Sequence, residues 1–154
     1  MNTKNVPLDY SNSLMYELEK AFWDERGKGA RFRMTKVGTE YFNEKVMPLL
    51  QSKEIEDILE KIKGVLQSEG ITEDISFNRE ERLLKISVRG CIHRSVEERM
   101  LGKGVEPFTC IPANLMVLAI EEKLDIPVEL AEIKVEEGVC QLLLVIFEKR
   151  PSLD

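Results

Sequence analysis

From Ile55 to Leu66 the apolar residues Ile55, Ile58, Leu59, Ile62, Val65 and Leu66 recur three and four positions apart, with Lys and Glu filling the gaps. That period puts one apolar stripe on one side of a helix. Ser52 is a good N-cap and Gly70 a natural C-terminal stop, so a helix is expected over residues 52 to 69. The period then drops to two. Leu84, Ile86 and Val88 alternate with Lys85, Ser87 and Arg89, which gives a strand with one buried and one wet face. Strands are expected at residues 74 to 78 and 83 to 91, turning through Arg79, Glu80 and Glu81.

From Ile111 to Ile120 nearly every position is apolar, as in a helix buried on most sides, and Pro112 fits its first turn, where a missing N–H costs nothing. The helix is expected over residues 111 to 123. Val128 to Glu136 and Val139 to Phe147 are β-rich runs joined across Glu136, Glu137 and Gly138, a second hairpin. Upstream, Leu14, Leu18, Ala21 and Phe22 recur at helical spacing after Ser13, predicting a helix over residues 13 to 26, and a further helix at 36 to 47 is interrupted by Pro48. The stretch Ile92 to Glu106 is polar, with Gly102 and Gly104, and reads as a short helix or a functional flap. The order predicts one α+β domain over residues 1 to 154. Its mostly antiparallel sheet of two hairpins packs against N-terminal helices and one buried central helix.

Composition narrows the function. A net charge of −6 argues against a phosphate-backbone surface, so nucleic acid is not an expected partner. The basic group Lys28, Arg31, Arg33 and Lys36, interleaved with Phe32 and Met34, reads as solvated loop. No apolar run reaches the length of a membrane span, and the N-terminus lacks a signal peptide's apolar centre, so a cytoplasmic protein is expected. Three widely spaced cysteines do not make a disulfide framework and are free thiols or ligands.

Enzymatic motifs are thin. With one histidine and no G-x-S-x-G, P-loop or dinucleotide-binding glycines, the usual instruments of hydrolases, kinases and dehydrogenases are missing. Cys110 at a helix start, with His93 as base, would be a nucleophilic pair with a depressed thiol pKa, but no oxyanion hole or orienting group accompanies it. The pairs Glu97-Glu98 and Glu121-Glu122 read as solvated faces. The sequence leans away from an enzyme. Metal binding is the stronger chemistry: Cys91 and His93 lie two apart, on one face if the strand runs on, and with Cys110 and Cys140 they make a three-cysteine, one-histidine zinc set. The alternative is three unrelated buried thiols.

The helix closed by Gly70, the hairpin across Arg79 to Glu81, Pro107-Phe108-Thr109-Cys110 leading into an apolar helix, and the Glu129-x-x-Glu132…Gly138-x-Cys140 hairpin together resemble the 4-vinyl reductase domain family. Its fold is related to the small subunits of the TRAPP trafficking complex and to haem-nitric-oxide-binding sensors. The resemblance spans roughly Lys28 to the end and is one of spacing. It implies a small-molecule sensor module, for some members a hydrocarbon sensor, with a structural zinc beside the ligand pocket. Its metal ligands would fall on Cys110, Glu129, position 132 and Cys140. The family's cysteine at that third position is Glu132 here, which makes the site harder, so Cys91 and His93 are preferred to Glu129 and Glu132.

Two functions are therefore expected in competition. One is a sensor-like module without its own output domain, holding zinc and a small apolar molecule in a pocket lined by Met116, Ile120 and Leu142. The other is a TRAPP-like interaction subunit that works by surface, with a partner protein and no ligand chemistry. Met15, Tyr16, Phe22 and Trp23 exceed what one helical stripe needs and predict a homodimer face.

Overall fold

In the computed structural model, which describes residues 6–30 and 34–148, two hairpins form one sheet. Arg31, Phe32 and Arg33 of the basic group fall outside the described residues. Helix α1 spans Leu8–Arg26 and helix α2 Thr39–Tyr41, the latter running into a π-helical turn at Phe42–Val46 and a 3-10 turn at Met47–Leu49. Helix α3 is Ile55–Ser68, strands β1 and β2 are Asp74–Glu80 and Leu83–Arg89, and helix α4 is Arg94–Gly102. Helix α5 is Ile111–Leu124, followed by β3, Val128–Glu136, and β4, Val139–Ile146. The strand order is β1-β2-β4-β3 and every pairing is antiparallel. This is the expected α+β fold with helices N-terminal to the sheet.

Local chemistry explains the element ends. Gly70, at φ 75°, closes α3 with Gly70 N–H donating to Gln67 O and Ile71 N–H to Leu66 O, the two bonds of a Schellman cap. Ser52 Oγ accepts the Glu54 N–H at 2.9 Å just ahead of α3. The turn Glu137-Gly138 has both residues at positive φ, 49° and 79°, as a two-residue type I′ hairpin requires. The continuous helix expected at 36 to 47 is instead three short pieces. Phe42 and Val46 are buried there while Val37 is exposed, and Pro48 holds the following turn.

One face of the sheet and helices α3 and α5 enclose the main core. Ile58, Leu59, Ile62 and Leu66 from α3 meet Leu115, Met116, Ala119 and Ile120 from α5 over Leu84, Ile86, Leu142 and Leu144. Each such Ile, Leu or Met side chain stabilises the fold by about 1.5–3 kcal/mol on burial. A smaller core lies under α1 and α4, where Ala30, Met100, Val105 and Phe108 are covered by Tyr16, Phe22, Trp23 and Met34. The Trp23 and Phe108 rings sit 5.4 Å apart.

Helix α1 is turned the other way from the sequence reading. It starts at Leu8, so Ser13 lies inside it and accepts a hydrogen bond from Arg99 Nη1 at 2.8 Å. Leu14 and Leu18 face solvent while Asn12 and Glu19 are buried. The inward side carries polar groups because α4 and the residues just before it carry polar partners: Asn12 Nδ2 donates to Ile92 O at 2.7 Å and to Ser95 Oγ at 2.9 Å. No described helix is long and apolar enough to cross a membrane.

Candidate functional site

All three cysteines are buried free thiols, brought from distant points of the chain into the main core. Strand β2 does not run on through Cys91 and His93. It ends at Arg89, Gly90 turns the chain at φ 68°, and residues 91 to 93 lead into α4. Cys91 is thereby carried inward, and its Sγ accepts the His93 backbone N–H at 3.4 Å. Cys110 is the N-cap residue of α5. Cys140 lies on β4, flanked by Val88 of β2 and Val135 of β3, and its Sγ donates to Glu97 Oε2 at 3.0 Å.

Glu97 completes the group. It is 4% exposed, on the inner side of α4 between Val96 and Met100. Burial pushes its carboxyl up to about 7, with the Cys140 contact opposing and Glu98 adding to the rise. Glu19 of α1 is likewise raised to about 7, first by burial and then by the charge of Glu97. Burial lifts Cys91 to about 11 and drives Cys110 and Cys140 upward as well; Glu97 pushes all three further up, and neighbouring thiols add to the rise at Cys110 and Cys140. The four groups Cys91, Glu97, Cys110 and Cys140 thus all feel one another electrostatically. Among the described residues, the cation that reaches Cys91 and Cys140 is Arg94, half exposed, paired with Glu98 and donating to Gly138 O at 2.9 Å.

Among the described residues no buried cation accompanies these five acidic groups, Glu19 included, and burial without one favours their neutral forms. Three thiolates and a carboxylate are a donor set suited to zinc, and a metal would replace the protons that now keep the site neutral. The donor chemistry fits. Among the described residues, however, no three Cys, His, Asp or Glu side chains are grouped so that they could hold a metal ion as placed, so binding requires the donors to draw together.

Of the other sequence candidates, His93 lies beside Cys91; burial lowers its pKa, and its Nδ1 is buried without a hydrogen-bond partner among the described residues. Glu129 and Glu132 are exposed on β3, and Glu132 pairs with Lys134 at 3.0 Å. The depressed thiol expected of Cys110 is reversed, because full burial outweighs the helix N-terminus. Glu97, read from sequence as solvated, is the buried acid of the site. The missed signal is the helical stripe Val96, Glu97 and Met100, which is visible once residues 94 to 102 are taken as a helix.

Met116, Ile120 and Leu142 are fully packed in the main core. The opening beside α5 lies on its other flank. A cleft of about 630 Å³ is floored by Val117, Leu118, Val128 and Phe147 and rimmed by Lys36 and Glu129. The side chains proposed for a dimer face also turn inward in part: Tyr16, Phe22 and Trp23 cover the smaller core. No family model matches the chain, and no curated protein matches its sequence.

Proposed function

We propose that this protein is a binding module rather than an enzyme, a sensor-like domain of the 4-vinyl reductase kind built around a zinc site at Cys91, Cys110, Cys140 and Glu97. The reading is supported by the contact of Cys140 Sγ with the buried Glu97 Oε2 at 3.0 Å and by the mutual electrostatic influence of Glu97 and the three buried thiols. Zinc there would be structural, tying β4, α4, α5 and the segment after β2 together, since metal binding is folding free energy. His93, Glu129 and Glu132 are not needed for it. A separate cleft between α5 and β3 is the place for a small amphipathic molecule, because it combines apolar Val117, Leu118, Val128 and Phe147 with polar Lys36, Thr39, Glu121 and Glu129.

Elemental analysis of freshly purified protein tests the metal directly. About one zinc per chain is expected, with a chelator lowering the melting temperature and Cys110→Ser removing both the zinc and the chelator effect. Absence of stoichiometric metal, together with a melting temperature indifferent to chelator, would sink the reading. The competing function, a TRAPP-like interaction subunit, draws on a specific feature: α1 exposes Tyr10, Leu14 and Leu18 while the main core is closed. A metal-free protein that captures a partner through Leu14 and Leu18 would establish that function instead.

A further inference from the structure

We infer that the face of the sheet turned away from α3 and α5 is where two copies of this chain pack, sheet on sheet, about a two-fold axis running along β4. Alternation divides each strand between two faces. Leu84, Ile86, Leu142 and Leu144 point into the main core, while the positions between them are exposed or half-buried. A shallow concavity of about 300 Å³ crosses this outer face, lined by Lys85 of β2, Gln141 and Leu143 of β4, and Glu132 and Lys134 of β3. The strand register sets unlike side chains in rows across it. Lys85 lies opposite Leu143 and Leu143 opposite Glu132, and in a second row Arg89 lies opposite Val139 and Val139 opposite Glu136. β4 is thus an apolar ridge of Val139, Leu143 and Val145, broken by Gln141, whose Oε1 accepts from Ser87 Oγ at 2.7 Å.

Charge selects the partner and its orientation. On one flank of the ridge β2 carries two cations, Lys85 and Arg89, and no acid. On the other flank β3 carries Glu129, Glu132 and Glu136 against Lys134, a net charge of −2. Sheets that stack face to face lie about 10 Å apart with their strands within about 30° of each other. A two-fold axis along β4 then lays β2 of each copy over β3 of the other. Leu143 meets Leu143, and Lys85 meets Glu132 and Arg89 meets Glu136, each twice by symmetry. An axis across the strands would instead lay cation on cation and acid on acid, which costs affinity. Among the described residues no ion pair engages Lys85 or Arg89, and Asp74, the neighbour of Arg89 on β1, is held by Lys63 at 3.4 Å. Glu132 does pair with Lys134, but both side chains stay about half exposed, at 45% and 57%. One copy supplies both the apolar ridge and the charges that a second copy needs, in matching register, and that marks the occupant as the chain itself.

Sedimentation velocity from micromolar to about 100 µM, with circular dichroism to verify folding, decides the matter. The unmodified chain should sediment as a dimer. Lys85→Glu and Glu132→Lys each set like charges against one another on both sides of the axis and should weaken dimerisation about tenfold or more. Mixed in equal amounts, the two variants should form a heterodimer of restored affinity, because the reversed charge of one copy then faces the reversed charge of the other. Leu143→Asp places two acids on the axis and should leave a folded monomer. A monomer throughout that range in the unmodified chain overturns the proposal. So does a dimer that survives Leu143→Asp, a mixture that fails to restore pairing, or a dimer dispersed by Leu18→Asp on α1.

Discussion

Glu97 and Glu19 set how the metal-free fold answers pH. Both carboxyls rise from 4.5 to about 7 in the native state, chiefly through burial, so the folded protein binds their protons more tightly than the unfolded chain does. Stability from this source is fully present below about 4.5 and is lost as pH rises through about 7. Thermal melts in the presence of chelator should therefore fall between pH 5 and pH 8, and Glu19→Gln should flatten that fall. A slope unchanged in the Gln variant would show that Glu19 does not carry it. The thiols make a second prediction. Because burial raises all three, iodoacetamide should label none of them in the native protein at neutral pH within minutes, and all three in denaturant. Rapid native labelling of Cys110 would instead restore the nucleophile that its place at a helix start suggests.

Helix α5 is apolar on nearly every side because it is wedged between α3 and the sheet, and it is oriented by one polar residue. Asn114, 1% exposed, donates through Nδ2 to Met34 O at 2.9 Å and to Val37 O at 3.0 Å. That amide ties the irregular segment before α2 to the central helix and so shapes the wall of the cleft that contains Lys36 and Thr39. Asn114→Ala should lower stability by about 1–3 kcal/mol, the cost of stripping partners from enclosed carbonyls. Chemical denaturation would measure it, and a loss below the error of the fit would mean that water replaces the amide. Helix α4 holds the complementary lesson. It is short and charged, yet Val96, Glu97 and Met100 are buried, because α1 covers it on one side and the thiol cluster meets it on the other.

At the scale of the whole molecule, the two cores differ in size. The main core joins α3, α5 and all four strands, whereas the smaller one is four buried residues beneath α1 and α4. Elements with less buried apolar surface open at lower free energy. Trp23 is the chain's single tryptophan and lies in the smaller core against Phe108, so its fluorescence reports that layer alone. Its transition in urea should precede the loss of far-ultraviolet circular dichroism. Coincident transitions would show that the two layers unfold as one cooperative unit.

What the sequence determined by itself was whatever depends on neighbours along the chain. The 3.6-residue period of α3, the alternation in β2, the Gly70 stop and the Glu137-Gly138 turn are local, and the structure places helices and strands accordingly. The tertiary structure alone decided which side of an ambiguous helix is inside. Leu14 and Leu18 look like core and are exposed, while Asn12, Glu19 and Glu97 look like surface and are buried. The physical reason is that a polar side chain can be enclosed when another element brings it a partner, and that partner lies tens of residues away: Ile92 for Asn12, Cys140 for Glu97. Periodicity records which residues share a face, but what that face meets is fixed only when the chain closes on itself.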